Sequence, residues 1–517
     1  MRLLLAAFIL CLCYEPGQAR QTDTLVIRVD LQKTFQTIEN FGASDAWSCQ
    51  FVGNWPEAAK NKMADWLFSM DTLDNGNPKG IGLSLWRFNF GAGSREQGDS
   101  SGIRDEWRRA SSFLGKNGAY NWQQQKAQLW FLHAAKQRGV KLFLGFFNSP
   151  PVEFTRNKKA FAHKGVCNIA PDQYQAFAVY ATETLKHIKQ QEGITFNYLS
   201  PVNEPQWDWS DGGQEGSPYT NHEISNLVKT FDTVLKENKL STKLIIPESG
   251  QLQYLLNSRD RILKNNQVEA FFNDSPASFV GGLPAVERVV ASHSYFTSSP
   301  YATAIRLRDN ISRKVAEIKG LRYWQTEYSV LGDNAGEING RGRDTGISTA
   351  LYVAKVIHAD LVAGNAAAWQ WWLAISPYDY KDGLIYIDKN KEAGHYYDSK
   401  TLWAFGNYSR FVRPGMQRVA ANVSGADSLL VSAYKDGAKH KLVFVIINAT
   451  GKEQKLHFID QLGRSIFTRQ DWITYTTSAS QRLEKKRYPS ESVIRVLPGS
   501  VVTLESKLQP INATHQD

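Results

Sequence analysis

Two glutamates stand in the settings of this chain best suited to chemistry. Glu204 lies in Ser200-Pro201-Val202-Asn203-Glu204-Pro205, and Glu327 lies in Tyr323-Trp324-Gln325-Thr326-Glu327-Tyr328. Each follows a short apolar run that reads as a strand. A carboxylate at the end of such a run is costly unless it is solvated, paired or used. A pair has one obvious use. Retaining cleavage of a glycosidic bond needs one carboxylic acid to protonate the leaving oxygen and a second carboxylate, roughly 5 to 5.5 Å away, to attack the anomeric carbon. The two must hold opposite protonation states near neutral pH, so their surroundings must separate their pKa values. The competing reading is a pair of salt bridges to Arg87 or another cation.

Other residues at strand ends supply matching partners. Asn203, beside Glu204, can hydrogen-bond a sugar 2-hydroxyl. Arg87, in Trp86-Arg87-Phe88-Asn89, can keep a carboxylate ionised, and Tyr295, in His293-Ser294-Tyr295, can donate to the same group. His293 can orient a carboxylate or meet a hydroxyl, although a lone strand histidine is more often a satisfied core residue. Asn148 ends Asn148-Ser149-Pro150-Pro151. Trp372 or Trp371 can floor the sugar subsite, and alternation along the strand makes the other one core. Trp207, in Trp207-Asp208-Trp209, and Trp47, in Asp45-Ala46-Trp47, fall on loops suited to outer subsites. Glu248, in Pro247-Glu248-Ser249, is a third rim carboxylate; it either supports the attacking group or competes with Glu327 for that role.

Positioning these residues requires a frame. Between about residues 36 and 375, β-type runs alternate with helical periodicity, within a barrel domain expected at 36–404. The strands expected are Ile38–Trp47, Ile81–Phe90, Lys141–Asn148, Phe196–Val202, Lys243–Pro247, Arg288–Tyr295, Arg322–Glu327 and Ala366–Trp372. Amphipathic helices are expected over Trp122–Arg138, Asp172–Gln191, Asn221–Lys239, Ala302–Lys319 and Ile347–Ala363. Gly139, Gly193, Gly320 and Gly364 follow helix ends, where a left-handed residue is favoured. Eight such units argue for α/β architecture and a (β/α)8 TIM barrel, with chemistry at the C-terminal strand ends. No phosphate-binding glycine loop follows the first strand. Residues 20–35 and 405–510 read instead as short strands of a side β-sandwich built from both chain ends.

Composition narrows the classes. The 517 residues include 15 Trp, 21 Tyr and 26 Phe, and the formal charge is +10. The cations are scattered, with no nucleic-acid-binding signature, so a solvated basic surface is expected and nucleic acid is not. Metal and esterase chemistry lack their motifs: neither HExxH nor GxSxG occurs. Residues 1–19 (Met1-Arg2, the apolar run to Cys13, then Gly17-Gln18-Ala19) read as a signal peptide cut after Ala19, which implies a secreted chain. A lipoprotein reading through Cys11 or Cys13 fits less well, because Leu precedes each. No other run has membrane length. Cys49 and Cys167 either pair or stay as independent thiols.

Taken together, Asn203-Glu204-Pro205, Thr326-Glu327-Tyr328, Phe41-Gly42-Ala43-Ser44, Trp86-Arg87-Phe88-Asn89, Asn148-Ser149-Pro150-Pro151, Pro247-Glu248-Ser249 and His293-Ser294-Tyr295 resemble glycoside hydrolase family 30. The resemblance spans residues 22 to 505. It implies a barrel with a side β-domain, a retaining mechanism, no cofactor and no metal. Its motifs place the acid/base role on Glu204 and the nucleophile role on Glu327, which leaves Glu248 supporting. The substrate implied is a β-linked polysaccharide or oligosaccharide. Gly42 to Trp47 and Gly82 to Asn89 look most like the endo-β-1,6-galactanase branch and less like the glucuronoxylanases, whose uronic-acid-binding pattern is not seen. The alternatives are an endo-β-1,4-xylanase, a β-1,6-glucanase, an exo-acting β-glycosidase with a closed pocket, and an inactive glycan-binding protein on the same scaffold. The insertion at residues 91–121 either walls off the cleft or extends its subsites.

Overall fold

A computed structural model describes residues 24–115, 117–423, 429–466, 472–489 and 493–507. The expected signal peptide lies outside the described residues. Eight parallel strands form the frame: β1 (Asn40–Ser44), β2 (Leu85–Asn89), β3 (Leu142–Phe146), β4 (Tyr198–Ser200), β5 (Lys243–Ser249), β6 (Val286–His293), β7 (Arg322–Glu327) and β8 (Ala368–Ser376). Each pairs in parallel with the next. Ala368 of β8 pairs with Trp324 of β7 and with Asn40 of β1, so the sheet closes into a barrel. Such strands are covered on both faces, which is why β5 opens as the unbroken run Leu244-Ile245-Ile246 instead of alternating. On the helix-facing side of the sheet, Phe88, Phe90, Phe147 and Phe196 pack against one another, and Phe147 meets Phe177 of the helix Tyr174–Gln191. Gly145 makes room for this cluster; a Cβ there would sit 2.1 Å from the Phe90 ring.

The outer helices follow the expected periodicity. Asn221–Glu237 begins with a capping box between Thr220 and Glu223. It buries Ile224, Leu227, Val228, Phe231 and Leu235 along one stripe. Gly139, Gly193 and Gly320 adopt left-handed backbone. Gly364 does not: the left-handed residue there is Asn365, φ 53°. The reason is steric, since a Cβ on Gly364 would fall 2.6 Å from the Asp360 carbonyl oxygen. Gly364 therefore serves a close backbone approach, and asparagine tolerates the turn.

Both chain ends build the second sheet, nine strands in the order 484–488, 472–477, 500–507, 441–448, 429–436, 417–423, 25–37, 454–459, 494–496. It is one continuous hydrogen-bonded sheet, curled so that Trp472 near one edge packs on Phe458 near the other, ring centroids 6.1 Å apart. The strand Lys441–Asn448 shows how it docks. Leu442, Phe444 and Ile446 enter the sheet's own core, while Val443, Val445 and Ile447 join the barrel's core. The helix Lys400–Ser409 lies between the two bodies and is buried throughout; Asn407 donates to the Tyr475 carbonyl and to Thr503 Oγ1, both at 2.9 Å. Glu484–Tyr488 carried no readable strand signal, because Glu484-Lys485-Lys486-Arg487 is a charged, mostly exposed edge. Cys49 and Cys167 are separate buried thiols. No helix among the described residues is long and apolar enough to cross a membrane.

Candidate active site

The C-terminal ends of β2, β4, β5, β6 and β7 bring Arg87, Glu204, Glu248, His293 and Glu327 together. Just past β4, Glu204 adopts φ 43°, and on β5 Glu248 adopts φ 54°. Left-handed backbone is uncommon outside glycine and costs about 1 to 3 kcal/mol per residue, so it persists only where the surroundings impose it. Here the two strained residues are tied together: the Glu204 N–H donates to the Glu248 carbonyl at 2.9 Å. The result turns the Glu204 carboxyl toward the barrel mouth.

Glu327 ends β7. Its Oε2 accepts from Arg87 Nη1 at 2.5 Å, and its Oε1 accepts from the Tyr295 hydroxyl at 3.1 Å. The Arg87 guanidinium lies over Phe146, 3.9 Å from the ring centroid, and donates to Asn203 Oδ1 at 3.2 Å. That last bond fixes the Asn203 amide so that its NH2 is the end left for another acceptor. His293 sits between the acids: Nδ1 lies 2.8 Å from Glu204 Oε1 and 3.7 Å from Glu327 Oε1, and Nε2 lies 3.2 Å from Glu248 Oε2. One oxygen of Glu204 and one of Glu327 fall within 4.8 Å of each other.

Exposure separates the three carboxylates. Glu204 and Glu327 keep 7% and 4% of their surface open, and Glu248 none. Glu248 is enclosed by donors from Ser200, at 2.5 Å, from Thr326 and from His293, with Arg87 Nη2 at 3.9 Å. It touches the other site residues and is closed to a sugar.

The electrostatics follow. Burial pushes the Glu204 carboxyl above its ordinary range, opposed by the bond from His293. Burial pushes Glu248 the same way, but the Arg87 charge and the His293 and Ser200 donors outweigh it and hold it at about 2. His293 reaches about 10: burial disfavours its charge, and the field of Glu327 with the bonds to Glu204 and Glu248 overcomes that. Both imidazole nitrogens then carry protons, Nδ1 donating to a Glu204 oxygen and Nε2 to a Glu248 oxygen. Burial also drives the Tyr295 phenol well above its ordinary value, so it remains a donor. The arrangement sets a carboxyl raised by burial against one bound by Arg87 and Tyr295, with one oxygen of each within 4.8 Å of the other.

The aromatic candidates separate as alternation requires. Trp371 is wholly buried and donates from Nε1 to the Asp382 carbonyl at 2.8 Å, whereas Trp372 keeps an edge open and lies 5.8 Å from the Arg87 guanidinium. Trp47 meets Trp372 edge to face at 5.3 Å. Trp207 crosses Gly250 beside Glu204; a Cβ on Gly250 would lie 2.7 Å from its Nε1. Asn148 is buried with both amide atoms unpartnered. Sequence reasoning passed over Ser200, Thr326 and Phe146. Ser200 and Thr326 are small polar residues inside buried strands, a signal that points to an enclosed charge; Phe146, two residues before Asn148, shares its strand face.

Residues 24–386 match the model of O-glycosyl hydrolase family 30. Over 465 residues the chain is 24% identical to an endo-β-1,6-galactanase of Hypocrea rufa, covering 87% of this chain and 86% of that one. It is 27% identical over 361 residues to the glucuronoxylanase XynC of Bacillus subtilis, covering 67% and 69% respectively. Among solved structures, a conserved exported protein from Bacteroides fragilis superposes with a TM-score of 0.86 at 31% identity, across 93% of this chain and all of that one. With more than half the chain matched and the barrel and side sheet in place, this protein belongs to glycoside hydrolase family 30 and is an O-glycosyl hydrolase.

Proposed function

We propose that this enzyme is a retaining endo-glycosidase acting on β-linked plant polysaccharide, with β-1,6-galactan side chains of arabinogalactan as its backbone. Glu204 is the acid/base and Glu327 the nucleophile. The observation that carries this reading is the pair of carboxyl oxygens within 4.8 Å of each other, one on a carboxyl raised by burial and one held by Arg87 and Tyr295. In the first step a Glu327 oxygen bonds to the anomeric carbon. The bond to the leaving oxygen breaks, and that oxygen takes its electron pair and the Glu204 proton. In the second step a water gives its proton to Glu204 and attacks the same carbon, which frees Glu327 as a carboxylate. Trp372 floors the sugar that becomes attached, Asn203 and Asn148 meet its hydroxyls, and Trp47 and Trp207 serve neighbouring subsites. Glu248 supports the pair from below.

The galactan assignment is supported by the Hypocrea rufa relative, which aligns over most of both chains. The leader at residues 1–19 supports a secreted enzyme. The test is a panel of de-arabinosylated type II arabinogalactan, β-1,6-glucan, glucuronoxylan and arabinoxylan with products sized over time. The reading expects a ladder of short oligomers from the arabinogalactan. Monosaccharide alone would mean exo action, and a ladder from another polymer alone would replace the backbone.

A further inference from the structure

Behind the site lies a second buried ion pair that takes no part in the chemistry described so far. Asp360 is on the helix Ile347–Val362 and Arg308 on the helix Tyr301–Ala316. Both are wholly enclosed, with Arg308 Nε 2.6 Å from Asp360 Oδ1. Taking two charges out of water is costly, and apolar side chains of similar volume often hold a fold as well or better. Stability alone therefore does not call for the pair.

Its other contacts converge on one turn. Ser294 Oγ lies 3.1 Å from each Asp360 oxygen, and Arg308 Nη1 donates to the Thr297 carbonyl at 2.8 Å. Thr297 Oγ1 and Ser298 Oγ donate back to the Ser294 carbonyl, at 2.9 and 3.0 Å. Phe296, inside the turn, adopts φ 55°, a left-handed backbone that costs a bulky residue about 1 to 3 kcal/mol and persists only where its surroundings impose it. Asp360 also accepts from Trp369 Nε1 at 2.9 Å, on the strand that carries Trp372.

Ser294 joins this anchor to the catalytic pair. It stands between His293 and Tyr295 in the chain. Its N–H donates to the Glu327 carbonyl at 3.4 Å, and the Tyr295 hydroxyl donates to Glu327 Oε1 at 3.1 Å. The Ser294 side chain thus ties the turn to the helices while the next side chain reaches the nucleophile. Were Tyr295 displaced, the Glu327 carboxylate would lose one of its two hydrogen-bonded oxygens and could turn about the remaining bond, from Arg87.

We propose that Asp360, held by Arg308, is a positioning residue for the nucleophile: through Ser294 it fixes the turn that carries Tyr295, and with it the orientation of the Glu327 carboxylate. Asp360 touches no substrate. It acts through alignment, where a misplacement of about 1 Å can cost about a hundredfold in rate. The proposal rests on Glu327 as nucleophile, and not on the identity of the polysaccharide.

The test is a double-mutant cycle between Ser294→Ala and Tyr295→Phe, on the polysaccharide that the wild-type enzyme cuts fastest. Active sites are counted by titration with a fluorosugar inactivator, so a loss of folded enzyme does not enter kcat. Ser294→Ala leaves Asp360 its Arg308 and Trp369 donors and strands no buried charge. With Tyr295 present it should lower kcat about tenfold and move KM by less than about twofold. In the Tyr295→Phe background the further fall should be less than about threefold, because the bond that the anchor protects is already gone. Arg308→Lys keeps a cation beside Asp360 but loses the fork that also reaches Thr297, and should show the same coupling. A kcat that Ser294→Ala leaves unchanged, or a fall of equal size in both backgrounds, overturns the proposal. Should Ser294→Ala not fold, the Arg308→Lys cycle decides by the same two outcomes. Fluorosugar found on a residue other than Glu327 removes the nucleophile reading and this proposal with it; fluorosugar on Glu327 with no coupling between Ser294 and Tyr295 removes this proposal alone.

Discussion

Replacing Glu248 by Gln would remove one negative charge from the fully buried centre of the site and turn one of its two accepting oxygens into a donor. Glu248 accepts from Ser200, Thr326 and His293 and lies 3.9 Å from Arg87. Its carboxyl is held at about 2 against an ordinary 4.5. Because the group is wholly buried, that difference corresponds to about 3 kcal/mol of folding stability at neutral pH, close to the roughly 3 to 5 kcal/mol expected for breaking a buried pair. A depressed carboxyl contributes fully above its unfolded value and loses that contribution as pH falls through its folded value. The Glu248→Gln deficit should therefore be about 3 kcal/mol at pH 7 and roughly half of that at pH 3. His293 is raised chiefly by Glu327, but it shares the bond to Glu248, so the two shifts are not summed. Equilibrium urea unfolding of both proteins, followed by tryptophan fluorescence at each pH, measures the difference. Equal stability at pH 7, or a deficit that does not shrink at pH 3, would refute the electrostatic account of Glu248.

Glu327→Gln should abolish turnover while oligosaccharide binding by calorimetry persists; normal turnover would remove it as nucleophile. Glu204→Ala should slow substrates with poor leaving groups most, and azide should restore turnover of activated aryl glycosides. An equal loss on both substrate types without rescue would deny the acid/base role. Because burial raises Glu204, and a proton donor must be protonated in the first step, kcat/KM should fall on its alkaline side at a pH above 4.5. A limb centred at or below that value would contradict the environment described for this carboxyl.

Much of the architecture is legible because barrel strands announce themselves. Runs such as Leu244-Ile245-Ile246 are buried on both faces, and each lies between segments of helical period. The charged edge at Glu484–Tyr488 is silent to the same reasoning, because its pairing is set by its neighbour in the sheet and not by its own pattern. At the site, residue types and strand ends were enough to nominate Arg87, Glu204, His293 and Glu327. They did not rank the rim carboxylates. Glu248 is set apart by Ser200 and Thr326, donors from two other strands, and that enclosure exists only once the barrel closes.

The decisive measurement is covalent trapping with a 2-deoxy-2-fluoro glycoside bearing a good leaving group, followed by peptide mass spectrometry. Attack by a carboxylate held by Arg87 and Tyr295 should leave one fluorosugar on the peptide that contains Glu327, with activity lost in step. A sugar attached to Glu248 or Glu204, or inactivation of no residue while the substrate turns over with inverted anomeric configuration, would contradict it.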